Sequence, residues 1–388
     1  KRSQLGKRNT APQDVTADWS KGMVRDAPRT AIPPSALYNS VDWLLHKPGI
    51  MQKRGGTEYA GPAMSGQDYA GSVIYAPFPA GAKLLVVNGG EGSIYECTSG
   101  AMTDLGGSNA PDDSRAVFRP GATSYVVFPD PAGSVAPVAY DGSAAPANLG
   151  GSPPAGRFGC VYKTRLVLGG TAANPQRIYF SPTPDIASAW DTTNSWIDAD
   201  YEITGFAATN NMLLIFSQGH TERIIGSTPP PGSDMDKSVI GSIGCTDARS
   251  IVVQENNVLF ANPRGVWLTN GSGFASLTTE GLVESYWQDL FSGYDPATWS
   301  IAAGIYRSFY FVSIMDGTTL IDTLMCNVPR RAWWRLSNIN ACYMTQSVGA
   351  DDELYYADRV DPRVVKISGI FSPSSSNKND ANGTAVEP

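Results

Sequence analysis

From Thr57 onward the chain repeats one unit: three or four short apolar runs separated by turn clusters, returning roughly every 40–55 residues, the period of propeller blades. The first unit holds Val73-Ile74-Tyr75, Leu84-Leu85-Val86-Val87 and Ser93-Ile94-Tyr95-Glu96-Cys97. Six more follow, carried in turn by Tyr125-Val126-Val127-Phe128, Arg165-Leu166-Val167-Leu168, Met212-Leu213-Leu214-Ile215-Phe216, Asn257-Val258-Leu259-Phe260, Ser308-Phe309-Tyr310-Phe311-Val312 and Glu353-Leu354-Tyr355-Tyr356-Ala357. The runs are too short for helices and rich in β-branched and aromatic residues, so they read as strands. Asn88-Gly89-Gly90, Asp141-Gly142 and Asn270-Gly271 supply tight turns between them.

One small antiparallel sheet cannot bury both of its faces. Sheets stacked around an axis bury one another, and closing the circle leaves only short, protected edges. The expected fold is therefore all-β: a β-propeller of six or seven blades over 57–367, with tandem β-sandwiches as the competing arrangement. Charged residues make up only 17% of the chain, while glycine and proline number 40 and 28, which agrees with many turns and large buried faces.

Residues 1–56 break the pattern. They carry scattered anchors such as Trp19, Met23, Tyr38 and Trp43 but no core of their own, and are expected to form an extended N-terminal arm that lies on another surface. Within the arm, Ser35 to His46 is expected to form a short helix with Ser35 as N-cap. The arm is also basic, with ten Lys or Arg against four Asp or Glu; the remainder holds 19 against 32, a balance of −13. A helix is expected over 278–290, because Leu282, Val283, Tyr286, Trp287 and Leu290 fall at helical spacing, with Thr278 as cap and Gly281 as a flaw. Residues 368–388, rich in Ser and Asn, are expected to be a flexible or linker tail.

Little in the sequence suggests chemistry. His46 and His220 are far apart, and His220 is expected in a surface turn. Cys97, Cys160, Cys245, Cys326 and Cys342 lack metal-ligand spacing and are expected as buried free thiols made in a reducing cytoplasm. Carboxylates cluster at Asp112-Asp113, Asp234 to Asp236 and Asp351 to Glu353, where solvated turns explain them; calcium is the sharper alternative, without the ligand order that would mark it. No phosphate-binding loop is present, and no apolar run reaches the about 18 residues of a membrane-spanning helix. The first residues have no apolar stretch of the secretory kind. No catalytic residue, cofactor or metal is expected. The densest basic and aromatic cluster is Arg330-Arg331-Ala332-Trp333-Trp334-Arg335. By strand alternation Arg331, Trp333 and Arg335 share a face, either stacked as cation–π pairs or offered to another subunit.

Four stretches resemble the stabilisation and tail-nozzle family of tailed bacteriophages: Gly22 to Pro28 with Ile32-Pro33-Pro34, Ala36 to Trp43 and Lys53 to Gly56; Ile178 to Asp185 with Ala189-Trp190-Asp191; Gln218 to Ile225 with Ile243-Gly244-Cys245, Ser250-Ile251-Val252 and Asn262 to Trp267; and Arg331 to Trp334. The resemblance implies a propeller and a homo-oligomeric ring, expected to hold six subunits, in the tail or neck of the virion. It implies contacts with portal, adaptor or other tail proteins, and DNA passing through the ring's lumen without specific binding. It implies no enzyme activity. The expected contact residues are Trp19, Met23, Arg25, Tyr38, Trp43, Arg330, Arg331, Trp333 and Arg335. Acidic clusters are expected to contribute to a channel wall that repels phosphate. The rival expectations are a receptor- or glycan-binding propeller, with Trp190 and Trp196 near Asp191 and Asn194 as platforms, and a propeller-fold glycan hydrolase.

Overall fold

Seven four-stranded antiparallel sheets are built by seven successive segments: 70–104, 117–148, 158–198, 205–241, 252–276, 299–336 and 341–366. The computed structural model describes residues 21–371 apart from 34, 48–49, 67–68, 112 and 348–351. The first six sheets are plain up-and-down meanders, and the segment 341–366 supplies three strands of the seventh. The first strand of every sheet touches the first strand of the next, and the seventh touches the first, so seven innermost strands close a ring. The molecule is a seven-bladed β-propeller. The seventh blade takes its outermost strand from far back in the chain: Glu58–Tyr59 pairs with Lys366 and Val365. That pairing ties the two ends of the propeller together and covers an edge.

The core consists of seven apolar layers, one between each pair of neighbouring blades. Period-two alternation distributes side chains between them. In the second blade Val126 and Phe128 face the first blade, while Val127 faces the third. Because both faces are covered, second strands such as the fully buried Leu213–Phe216 are apolar throughout. The outermost strands have no such burden. Met102–Asp104 and Ala147–Asn148 are polar and largely exposed, so they carry no apolar signature.

The segment before the propeller is not helical over 35–46. Trp43–Lys47 is a strand paired with Ile50–Lys53. Upstream, single bridges join Gly22 to Trp333 and Val41 to Arg335, extending the outer edge of blade six. The Met23 N–H donates to the Trp333 carbonyl at 2.8 Å, and Arg335 N–H donates to Ser40 O at 3.0 Å. The unpaired edge of blade six outcompetes local helix propensity, because it offers ladder partners that a short isolated helix lacks. Met23 and Leu44 enter the core layers on either side of blade six. A buried ion pair locks the segment: Arg54 Nε lies 2.6 Å from Asp42 Oδ1, with both side chains fully enclosed.

Between blades five and six the chain forms two helices, Leu277–Glu280 and Glu284–Leu290, rather than one over 278–290. The break falls at Gly281 and Leu282. A Cβ on Gly281 would lie 2.4 Å from the Trp333 ring, so the indole occupies the space a side chain would need. Ser276, not Thr278, caps the first helix by accepting from Thr279 N–H. Asp26 accepts from the N–H groups of Glu284 and Ser285 at the start of the second. At the far end, Ser368–Phe371 forms a 3-10 turn. Ile370 is buried and Phe371 stacks on Tyr306. The remainder of the expected tail, from residue 372, lies outside the described residues.

Candidate functional site

Loops that lead into the innermost strands gather several charged side chains around one cleft of about 400 Å³. Its walls include Asp113 and Arg115 before blade two, Asp247 and Arg249 before blade five, and Tyr343 of blade seven. A second hollow of about 520 Å³ adjoins it and shares Glu202, Thr246 and Tyr294 with it. Arg249 grips its own neighbour through Asp247, with Nη2 to Oδ2 at 2.7 Å and Nε to Oδ1 at 2.9 Å. Burial would lower the Arg249 guanidinium, yet the facing Asp247 carboxylate carries it above its ordinary value. Asp247 also accepts from the N–H of Ile301, which fastens blade five to blade six. Asp113 is held by Arg359 at 3.0 Å and sits 3.8 Å from Arg249. Tyr343 Oη donates to the Asp113 carbonyl at 2.6 Å, and burial pushes the Tyr343 phenol up.

Arg115 differs from these. Its guanidinium donates to two carbonyls of other blades, Phe206 O of blade four at 3.3 Å and Ile251 O beside blade five at 2.9 Å. It therefore reaches across the ring interior. Desolvation lowers its affinity for its proton. Arg115 also lines two further hollows along the innermost strands, one bounded by Val73 and Ala303, the other by Cys160 and Ala207. Nothing in Asp113-Ser114-Arg115-Ala116 marks this role in the sequence. The convergence is spatial, and only the ring closure reveals it.

The residues expected to contact a partner fall largely on blade six, where the N-terminal segment covers them. Met23 and Trp333 are each 0% exposed and share one core layer. Trp333 Nε1 donates to Leu277 O at 3.0 Å. Arg25 lies over the rings of Tyr38 and Tyr286, at 4.5 and 4.7 Å. Arg335 pairs with Asp322 at 2.8 Å, and Arg331 with Glu280 at 2.7 Å. Met23 and Trp333 thus leave no surface for another molecule, whereas Arg331 and Arg335 on the same face stay partly exposed, Arg335 lying 5.5 Å from the centre of the Tyr286 ring. Trp43 is half-buried and Arg330 is exposed. Trp19 lies outside the described residues.

The glycan-platform residues are also placed differently from expectation. Trp190 is buried in the layer between blades two and three, with Nε1 donating to Ile186 O, so it offers no open face. Trp196 carries Arg177 stacked on its ring at 3.6 Å. His220 stacks on Tyr201 at 4.2 Å and lines the second hollow. The side chain of His46 lies outside the described residues. The acidic clusters separate onto different blades: Asp113 at the cleft, Asp234 capping Ser227 and Thr228, and Glu353 paired with Lys366 at 2.7 Å. Asp112 and Asp351 are outside the described residues. Among the described residues, no three His, Cys, Asp or Glu side chains gather as a metal set. Cys97, Cys245, Cys326 and Cys342 are buried free thiols, whereas Cys160 is half-buried because it faces the hollow that Arg115 lines. Burial pushes the Cys97 thiol up to about 11 and those of Cys160, Cys245 and Cys342 up to about 12.

No protein-family model matches the chain, and no curated protein matches it. Among solved structures it is similar to the computationally designed Ika8 protein, at 12% sequence identity and a TM-score of 0.47, over 80% of this chain and 99% of that one.

Proposed function

We propose that this chain is a structural protein of a bacteriophage virion, assembled as a ring in the tail or neck, connecting portal or adaptor to more distal tail parts and forming part of the DNA path. It carries out no catalysis in this reading. The observation that supports it most is how the chain uses its acidic side chains. Asp130 accepts from the N–H groups of Ala132, Ser134 and Val135, Asp141 from Ser143 and Ala144, Asp191 from Thr193 and Asn194, and Asp234 from Ser227 and Thr228. These hydrogen bonds hold all four carboxyls below their ordinary range. Carboxylates committed to fixing loops suit a rigid assembly part better than an acid–base site, where a group must exchange protons near neutral pH. The sequence resemblance supplies the assembly, and the acidic body suits a wall that DNA slides past.

Native mass spectrometry and negative-stain electron microscopy of the full chain test this. Rings of six subunits without affinity for duplex DNA are expected. A monomer that cleaves a host polysaccharide, with turnover lost on changing one carboxylate, would overturn it.

A further inference from the structure

Among the described residues, Tyr201 is the one aromatic side chain that stays exposed, at 45%. It lies between the last strand of blade three and the first of blade four, and lines the hollow of about 520 Å³. The loop that carries it is pinned on both sides. Ala199 N–H donates to Gln176 O at 2.8 Å, Asp200 N–H to Glu222 Oε1 at 2.9 Å and Ile203 N–H to Pro175 O at 2.9 Å. The His220 ring lies flat against the Tyr201 ring, 4.2 Å away and tilted by 6°. The turn that carries His220 is fixed as well: its N–H donates to Ser217 Oγ, and Cys245 N–H to Ser217 O, both at 3.0 Å. An aromatic surface already held in place loses little freedom when another molecule packs on it.

The hollow falls within the range of about 300–1,000 Å³ that small-molecule sites occupy. Its lining holds one carboxylate, Glu202, which Arg157 engages at 2.9 Å, and neither lysine nor arginine. The adjoining cleft is balanced, with Arg115, Arg157 and Arg249 against Asp113, Glu202 and Asp247. A charged ligand therefore finds no counter-charge, and the groups left to bind with are neutral. Among the described residues, the side chains of Tyr201, Gln218 and His220 have no hydrogen-bond partner. A phenol and an amide each both donate and accept, as sugar hydroxyls do. The C–H face of a sugar ring covers an aromatic face while its hydroxyls point to the edge, and Tyr294 supplies a second ring in the same hollow. Trp190 and Trp196 supply no such surface, the first being buried and the second stacked under Arg177.

We infer that this hollow binds a neutral saccharide, with one sugar ring packed on Tyr201 and its hydroxyls shared with Gln218 and His220. A nucleotide would stack equally well, but its phosphate would meet Glu202 with no cation in the lining to receive it. The site is complete within one chain, so it stands or falls apart from the assembly reading.

Isothermal titration of the full chain with maltose, lactose and chitobiose, and with glucuronate and adenosine monophosphate as charged comparators, tests it. Saturable one-site binding of at least one of the three neutral disaccharides is expected, tighter than either comparator. Tyr201→Ala should weaken it at least about tenfold, the size of a lost aromatic contact, whereas Tyr201→Phe keeps the platform and should stay within about threefold. Gln218→Ala should weaken it about threefold to tenfold, the size of one neutral hydrogen bond. Tyr201 is exposed, so both of its variants should fold, and circular dichroism checks this; should the alanine variant not fold, Gln218→Ala decides. Absence of binding of all three disaccharides at millimolar concentration, unchanged binding in folded Tyr201→Ala or in Gln218→Ala, or tighter binding of either charged comparator would overturn the assignment. Loss of self-association in Tyr201→Ala, read by native mass spectrometry, would place this face between copies and overturn it too.

Discussion

Asp42→Asn isolates the ion pair that fixes the N-terminal segment to the propeller. Asp42 accepts from Arg54 Nε at 2.6 Å and from Ser337 N–H at 2.9 Å, and Arg54 donates onward to Ser337 O at 2.9 Å. Ser337 follows the last strand of blade six, so the N-terminal segment and blade six meet at one carboxylate. Asparagine retains the shape, and it tolerates the left-handed backbone that Asp42 adopts at φ 59°. What it removes is the charge, which takes the ionic part out of the fully enclosed contact between Asp42 and Arg54. Breaking a buried pair from one side costs about 3–5 kcal/mol. Urea unfolding followed by tryptophan fluorescence should report the loss, because Trp333 and Trp334 lie in the adjoining strand and are buried. Asp42→Asn combined with Arg54→Met should recover on the order of 2 kcal/mol, since the buried cation is gone and a buried pair is often replaceable by apolar groups. A loss below about 1 kcal/mol for Asp42→Asn, the size of an exposed pair, would refute the reasoning. It would mean that this segment detaches without cost to the propeller.

Gly281→Ala should destabilise by about 1–3 kcal/mol through overpacking, because the new methyl would meet the Trp333 ring and the Arg331 carbonyl at 2.7 Å; thermal melts check it, and an unchanged melting point would contradict the close approach. Asp358 is buried, and burial raises its carboxyl to about 6. Between pH about 4 and 6 the folded form therefore holds a proton that the unfolded chain has released, so stability should fall as pH rises through that window, with a slope of up to about 1.4 kcal/mol per pH unit, and level off above it. Asp358→Asn should flatten that slope in denaturation series run across pH, and an unaltered slope would count against it. Removing the closing strand by Glu58→Pro and Tyr59→Pro should open the edge of blade seven and lower the melting temperature by several degrees; size-exclusion chromatography should show new self-association through that edge, and a monodisperse, equally stable variant would show that closure is dispensable.

The sequence disclosed the parts of this fold whose signal is local. All seven apolar units correspond to blades, because strands covered on both faces must be apolar throughout, and runs such as Leu213–Phe216 advertise it. Outermost strands such as Asp236–Gly241 are half-exposed and polar, so nothing distinguishes them from loops. Blade seven hid its fourth strand in the two residues Glu58–Tyr59, which no periodicity can flag. The segment over 35–46 carries a capping serine, the mark of a short helix, whereas the partner of Val41 is Arg335 at the edge of blade six, far along the chain. At the cleft, Asp113 stood out only as an acidic turn. Arg115 and Asp247 carry no motif at all, since their meaning depends on which loops the ring brings together.

The shared seventh blade also governs when the protein can become whole. Tyr59 leaves the ribosome early, yet its hydroxyl bonds to Asp361, 302 positions later. Until that residue is made, the first blade has no neighbour on one side, and the layer holding Val73, Val86 and Tyr95 faces water. Blades can stack in order of synthesis, each newcomer covering the last, but the circle stays open to the end. Closure is then a single late event with high contact order, so it should be slow relative to the stacking steps. Before it, the nascent chain presents one uncovered apolar face at each end of an open arc, the species on which a chaperone would act and from which misassembly between chains would begin.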